Sequence, residues 1–201
     1  MKKIFFLLLA FYPIINSYCQ TSEEYFKRGL AKSKLQDYRG AIADFGKAIE
    51  INPKDANTFY NRGNAKYNLQ DYRGALADYN KAIEINPNNA EYFSNRGLAK
   101  YDLQDNQGAL ADYNKALEIN PKNTFAYSNM GNVKYALKDY RGALADFNKA
   151  IAINPKYGEA YTNRGLAKIK LKQKDSGCLD LNKARELGVK QAYELIKKYC
   201  N

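Results

Sequence analysis

A strict 34-residue period governs this chain: Gly29, Gly63, Gly97, Gly131 and Gly165 each stand 34 residues from the next, and Pro53, Pro87, Pro121 and Pro155 keep the same interval. Between these markers the segments nearly superimpose, as DYRGAIADFGKAIEINP from Asp37, DYRGALADYNKAIEINP from Asp71, DNQGALADYNKALEINP from Asp105 and DYRGALADFNKAIAINP from Asp139. Self-similarity at this spacing specifies an array, in which each unit buries its apolar face only against its neighbours. The array fills residues 22 to 191.

Within one unit the apolar and small residues follow helical spacing. Phe59, Gly63, Ala65 and Leu69 mark a first helix, and Ala75, Leu76, Tyr79, Ala82, Ile83 and Ile85 a second. Asp71 stands where its side chain can cap the second helix, and Asn86-Pro87 ends it, because the residue before a proline is pushed out of the α region. A glycine inside a helix costs about 1 kcal/mol relative to alanine, so five at one register imply close packing of helix against helix.

The second unit, ANTFYNRGNAKYNLQDYRGALADYNKAIEINPNN, resembles the tetratricopeptide repeat along its whole length. Phe59, Gly63, Asp71-Tyr72, Ala75, Tyr79, Ala82 and Pro87 fill the signature positions, and the other copies fill most of them. The resemblance implies an all-α fold: a right-handed solenoid of five helix-turn-helix repeats (22–55, 56–89, 90–123, 124–157 and 158–191), with a concave groove lined by the first helix of each pair. It also implies a role in protein–protein assembly, without naming a partner.

The two ends depart from the repeat. Lys2 and Lys3 precede an apolar stretch from Ile4 to Tyr12, then Pro13 and Ser17-Tyr18-Cys19, which reads as a secretory signal over residues 1–19 cleaved after Cys19. From Ile4 to Ile15 it is too short for the roughly 20 apolar residues of a transmembrane helix. Lipid attachment at Cys19 is the alternative, disfavoured by the bulky Tyr18. Export to a periplasm or to the medium of a Gram-negative-type bacterium is the expectation, with no transmembrane segment in the mature chain. Thr21-Ser22-Glu23-Glu24 then has the form of a capping box, so the array starts at once. In the fifth copy Lys172 to Ser176 replaces the Asp-Tyr entry, Gly177 replaces the alanine, and Gly188-Val189 stands where proline is expected. Beyond it, residues 192–201 read as a capping helix, in which Ala192, Tyr193, Ile196 and Tyr199 share one face. The two cysteines that remain after cleavage, Cys178 and Cys200, lie outside any C-x-x-C pattern, and in an oxidising compartment they suggest a disulfide that staples the last helices; the alternative is two separate buried thiols.

One charged pattern recurs inside the array. Arg28, Arg62, Arg96 and Arg164 each precede an aspartate by 16 residues, namely Asp44, Asp78, Asp112 and Asp180, whereas Met130 leaves Asp146 without its arginine. Because Arg62 shares a helical face with Ala65 and Leu69, it is expected along the interhelix seam, paired with Asp78 or a close neighbour. Four near-identical copies suit a structural element, since a catalytic site normally occurs once.

Helical spacing from Tyr60 brings Asn61, Asn64, Tyr67 and Asn68 together, followed by Ser94, Asn95, Leu98 and Tyr101, then Phe125, Ser128, Asn129, Asn132 and Tyr135. From these the expected peptide- or protein-binding groove comprises Tyr60, Asn61, Asn64, Tyr67, Asn95, Tyr101, Asn129, Asn132 and Tyr135. Asparagine both donates and accepts, so it can hydrogen-bond an extended backbone, while the tyrosines offer a ladder for apolar side chains. The competing reading is that these tyrosines pack between neighbouring repeats. The carboxylate clamp of chaperone-binding tetratricopeptide domains is missing, for Tyr60, Phe125 and Asn129 occupy positions where it needs Lys or Arg.

Other function classes have little support. The chain contains no histidine, no Gly-rich phosphate loop and no cysteine spacing suited to a metal, so neither an enzyme nor a cofactor is expected. The whole chain carries a formal charge of +11, but Lys47, Lys81, Lys115, Lys149 and Lys183 recur once per repeat, the pattern of a solvated face rather than a nucleic-acid patch. The expected partners are other proteins, with self-association also open. The expected function is a non-enzymatic interaction module or scaffold; the alternative is a structural subunit of an envelope complex assembled through the end repeats or the outer face.

Overall fold

The computed structural model describes residues 20–200. The proposed signal segment 1–19, with its cleavage or lipidation at Cys19, lies outside the described residues. Within them the secondary structure is helical, with no strand. Five antiparallel pairs follow one another: α1 (Ser22–Lys34) with α2 (Tyr38–Ile51), α3 (Ala56–Asn68) with α4 (Tyr72–Ile85), α5 (Ala90–Asp102) with α6 (Asn106–Ile119), α7 (Thr124–Ala136) with α8 (Tyr140–Ile153), and α9 (Gly158–Lys170) with α10 (Lys174–Glu186). A single helix, α11 (Lys190–Tyr199), packs on α10.

Local chemistry sets the boundaries. The side chain of Thr21 accepts from the backbone N–H of Glu24 while Glu24 accepts from the backbone N–H of Thr21, a complete capping box. Asp37, Asp71, Asp105 and Asp139 each cap a second helix by accepting the N–H of the glycine three residues on, at 2.9 Å. A Cβ on Gly74 would fall 2.0 Å from Asp71 Oδ2, so a larger residue there would have to turn that carboxylate. At the other end Asn52, Asn86, Asn120 and Asn154 terminate the second helices and turn the chain by accepting the N–H two residues ahead. The link inside each pair is tight. Gln36, Gln70, Gln104, Lys138 and Lys172 take φ between 62° and 65°, the left-handed conformation that closes a helix C-terminus.

The core runs along the array. Phe45, Tyr79, Tyr113, Phe147 and Leu181 are at most 1% exposed and hold equivalent places one repeat apart, each worth roughly 1.5–3 kcal/mol of burial. The repeated glycine is what lets these side chains in: a Cβ at Gly29, Gly63, Gly97 or Gly131 would stand 2.5–2.9 Å from the ring carbons of Phe45, Tyr79, Tyr113 or Phe147. The space is thus filled mainly by an aromatic ring rather than by backbone. Only in the fifth pair, where Leu181 replaces the ring, do two glycines bring backbones together, and there a Cβ on Gly165 would meet the carbonyl of Gly177 at 2.8 Å.

Each arginine of the recurring pair makes a two-toothed ion pair with its aspartate. Arg96 donates from Nε to Asp112 Oδ2 at 2.9 Å and from Nη2 to Oδ1 at 2.5 Å, and Arg28, Arg62 and Arg164 do the same to Asp44, Asp78 and Asp180. A lysine four residues after each arginine joins the same carboxylate, as Lys100 Nζ does at 2.8 Å from Asp112 Oδ2.

α11 covers the end of the array with Ala192, which is fully buried. Tyr193, expected on the covering face, is instead 61% exposed. Cys200 follows α11 and is bonded to Cys178 of α10, with 5.7 Å between the Cα atoms.

Candidate functional site

Successive first helices touch one another, α1 with α3, α3 with α5, α5 with α7 and α7 with α9, whereas the second helices make no comparable contact with each other. A layer whose members are drawn together is the inner side of a curved array, so the first helices line the concave surface. Two cavities open on it.

The first, about 400 Å3, lies between Tyr60 of α3, Glu91, Ser94 and Asn95 of α5, and the start of α7 with its cap, Asn123, Thr124 and Phe125. Its floor is tied together. Asn95 Nδ2 donates to Tyr60 Oη at 2.6 Å and to Asn64 Oδ1 at 3.3 Å, and Asn64 Oδ1 also accepts from the buried hydroxyl of Tyr79 at 2.8 Å. Asn123 caps α7 through its Oδ1 and donates from Nδ2 to Ser94 Oγ at 3.0 Å. The second cavity, about 200 Å3, is lined by Tyr101, Asn132, Tyr135, Asn163 and Leu166. There Asn163 Nδ2 donates to Asn132 Oδ1 at 2.8 Å, a link over 31 residues that repeats the one from Asn95 to Asn64.

Of the nine residues expected in the groove, the structure therefore places Tyr60 and Asn95 at one cavity and Tyr101, Asn132 and Tyr135 at the other. The remaining four have structural engagements. Asn61 donates to the Asn57 carbonyl of its own helix, Asn64 sits beneath Tyr79, and Tyr67 donates to Asp102 while its ring packs on Tyr72. Asn129 is buried, and accepts from Asn132 through its Oδ1 while its Nδ2 has no partner. Burial raises the titration of Tyr60, Tyr67 and Tyr135 above the ordinary tyrosine value, so these phenols stay neutral.

Sequence reasoning missed Asn123 and Thr124, because the start of α7 read as a helix boundary rather than as a wall, and missed Glu91 at the start of α5. It also missed Asn163 and Leu166, although the period announces them one repeat after Asn129 and Asn132. No group of three or more His, Cys, Asp or Glu side chains among the described residues is placed to hold a metal, and no described helix is long and apolar enough to cross a membrane.

Residues 29–70, 63–104 and 97–138 match the family described as TPR repeat, and residues 124–157 match the one described as Tetratricopeptide repeat. No curated protein matches the chain. Among solved structures, MamA is 24% identical, with 82% of this chain and 96% of that one covered and a TM-score of 0.70. YrrB, described as a TPR protein with an unusual peptide-binding site, is 22% identical over 88% of this chain and 92% of its own, with a TM-score of 0.66. PilW, described as a widely conserved type IV pilus biogenesis factor, is 22% identical over 83% of this chain and 77% of its own, with a TM-score of 0.76. These likenesses establish the fold, and the matched residues establish the lineage: the chain belongs to the tetratricopeptide-repeat family.

Proposed function

We propose that this chain is a protein-interaction module that holds an extended segment of another protein against its first helices, outside the cytoplasm. The observation that carries this reading is the pair of cavities on the concave surface, each combining asparagine amides with aromatic or apolar walls. Asn95 and Asn163 each use the side-chain amide nitrogen to fix a neighbour in the array, Tyr60 or Asn132, which holds the amide oxygen in place to accept from a ligand's backbone, while Asn123 and Asn132 use both groups to build the walls. Phe125 and Leu166 supply apolar surface for its side chains. Tetratricopeptide proteins bind other proteins, and the printed description of YrrB includes a peptide-binding site. The basic and apolar leader of residues 1–19 and the Cys178–Cys200 disulfide support an oxidising, exported setting.

The test is capture from the envelope fraction on immobilised wild-type protein and on a Phe125→Ala, Leu166→Ala variant, with circular dichroism confirming that both are folded. Proteins retained by the first and lost from the second support the groove. Equal retention discards it.

A further inference from the structure

The fourth repeat lacks the arginine with which its neighbours complete an ion-pair set from within. The guanidinium of Arg96 meets three groups: the Asp112 carboxylate, Asn80 Oδ1 at 2.8 Å, and the Phe93 ring at 5.3 Å from its centroid. Arg164 repeats this with Asp180, Asn148 at 2.7 Å and the Tyr161 ring at 5.2 Å. The equivalents between them are Asp146, Asn114 and Tyr127, and all three line one open cavity of about 570 Å3 beside Met130, which stands in the arginine position.

Asp146 is only 4% exposed and has no arginine. Lys134 Nζ stands 2.6 Å from its Oδ2 as an ion pair, but no hydrogen bond from the described residues reaches this buried oxygen, which in the neighbouring repeats accepts from the arginine Nε. Met130 supplies an apolar stem like that of arginine and no cationic head group. We propose that this cavity receives an arginine side chain presented by a partner protein, whose guanidinium completes the set that Arg96 and Arg164 complete internally.

Charge and space agree with that occupant. In the intact repeats the carboxylate carries a lysine and an arginine together, so Lys134 leaves room for a second cation. Lys149 stands 5.2 Å from the Tyr127 ring centroid, but Tyr25 carries both Lys47 at 5.3 Å and Arg28 at 4.8 Å, so one ring accommodates both. Glu118, already paired with Lys115 at 2.8 Å, also lines the cavity. A lysine on the partner would fit less well, because only a planar fork reaches two carboxylate oxygens, an amide oxygen and a ring face at once. The position lies among α6, α7 and α8, on a different face of α7 from Phe125, Asn132 and Tyr135, and so is independent of the groove.

The chain has only two methionines, Met1 and Met130, so a 13C-methyl methionine label gives a reporter inside the cavity. The full chain is titrated with N-acetyl-arginine amide, with N-acetyl-lysine amide, and with a blocked pentapeptide Gly-Gly-Arg-Gly-Gly. The expected result is a saturable shift of the Met130 methyl with both arginine compounds, tighter for the pentapeptide, and about tenfold weaker or absent with lysine. Asp146→Asn removes it, as does Asn114→Ala, which changes a solvent-exposed residue and serves if the first variant fails to fold. No shift with the arginine compounds, equal shifts with lysine, or a shift that survives both substitutions overturns the site. A pentapeptide that binds more weakly than the single blocked residue overturns the protein source in favour of a free guanidinium compound.

Discussion

Arg62 grips the buried carboxylate of Asp78 with two parallel hydrogen bonds, Nε to Oδ2 at 2.9 Å and Nη2 to Oδ1 at 2.6 Å, across the seam between α3 and α4. Lys66 Nζ adds a third contact at 2.7 Å. Removing the acid leaves two cations facing each other, so Asp78→Ala is expected to cost about 3 kcal/mol. Arg62→Met recreates the arrangement around Met130 and is expected to cost about 1.5 kcal/mol, because Lys66 stays. Urea unfolding of both single variants and the double variant measures this. A double variant that costs clearly less than the sum shows the coupling, and strict additivity would contradict it.

In the first repeat the same pairing shifts a titration. Hydrogen bonds from Arg28, assisted by Lys32, hold the Asp44 carboxyl at about 2 instead of the ordinary 3.8, against the opposing effect of burial. A carboxyl whose folded pKa lies below its unfolded one favours folding at higher pH and loses that advantage as pH falls through the folded value. The contribution of Asp44 is therefore complete above about pH 5 and vanishes between about pH 4 and pH 2. Urea midpoints of wild type and Asp44→Asn should differ at pH 7 and converge over that window. A pH-independent difference would deny the ionic origin.

Much of this fold was legible in the sequence because its determinants are local and repeat. The aspartate caps, the asparagine–proline stops and the 16-residue spacing from arginine to aspartate each recur at fixed offsets. The left-handed residues at Gln36, Gln70, Gln104, Lys138 and Lys172 were not legible, since no glycine marks them. The role of Gly63 was half legible: its smallness signalled proximity, but whether a ring or a backbone fills the space depends on Tyr79, 16 residues away. The groove was hardest. An asparagine on the inner face can bind a ligand or a neighbour, and in Asn64 and Asn129 the neighbour wins because a tyrosine or another asparagine of the array lies within reach.

Two glycine substitutions should move stability in opposite directions. Gly46 lies inside α2, and a Cβ there meets nothing within 4 Å. Gly46→Ala is expected to stabilise by about 0.5–1 kcal/mol through helix propensity alone. At Gly63 the same methyl would stand 2.7 Å from Tyr79 Cε1, and forcing that ring aside outweighs the propensity gain, for a net loss of about 1–2 kcal/mol. Thermal melts decide both, and a stabilised Gly63→Ala would mean that the aromatic layer is looser than this packing implies.

The hydroxyl of Tyr113 is buried without a hydrogen-bond partner among the described residues, because Leu98 occupies the place from which Asn64 serves Tyr79 one repeat earlier. Removing an unsatisfied hydroxyl relieves a desolvation cost, whereas removing a satisfied one strands its acceptor. Tyr113→Phe is expected to be neutral or stabilising by up to about 1 kcal/mol, and Tyr79→Phe to destabilise by about 1 kcal/mol. Phe45 and Phe147 show that phenylalanine fits the same place. Chemical denaturation of the two variants side by side gives the answer, and equal effects would assign Tyr113 a partner.

The end of the array depends on a covalent tie more than its other parts do. α11 lacks a side-chain cap and buries only Ala192 fully, so the last helix has few non-covalent supports, whereas α10 is held on α9 by Leu181 and by Asp180 with Arg164. The disulfide spans 22 residues, and closing a loop of that size stabilises by about 3 kcal/mol. Because units of a solenoid interact mainly with their neighbours, reduction should loosen α11 first, α10 less, and leave α1 to α8 nearly unchanged. Amide exchange with and without reductant would show that gradient, as would Cys178→Ser with Cys200→Ser. Loss of protection spread evenly through the chain would instead mean that the array unfolds as one cooperative block.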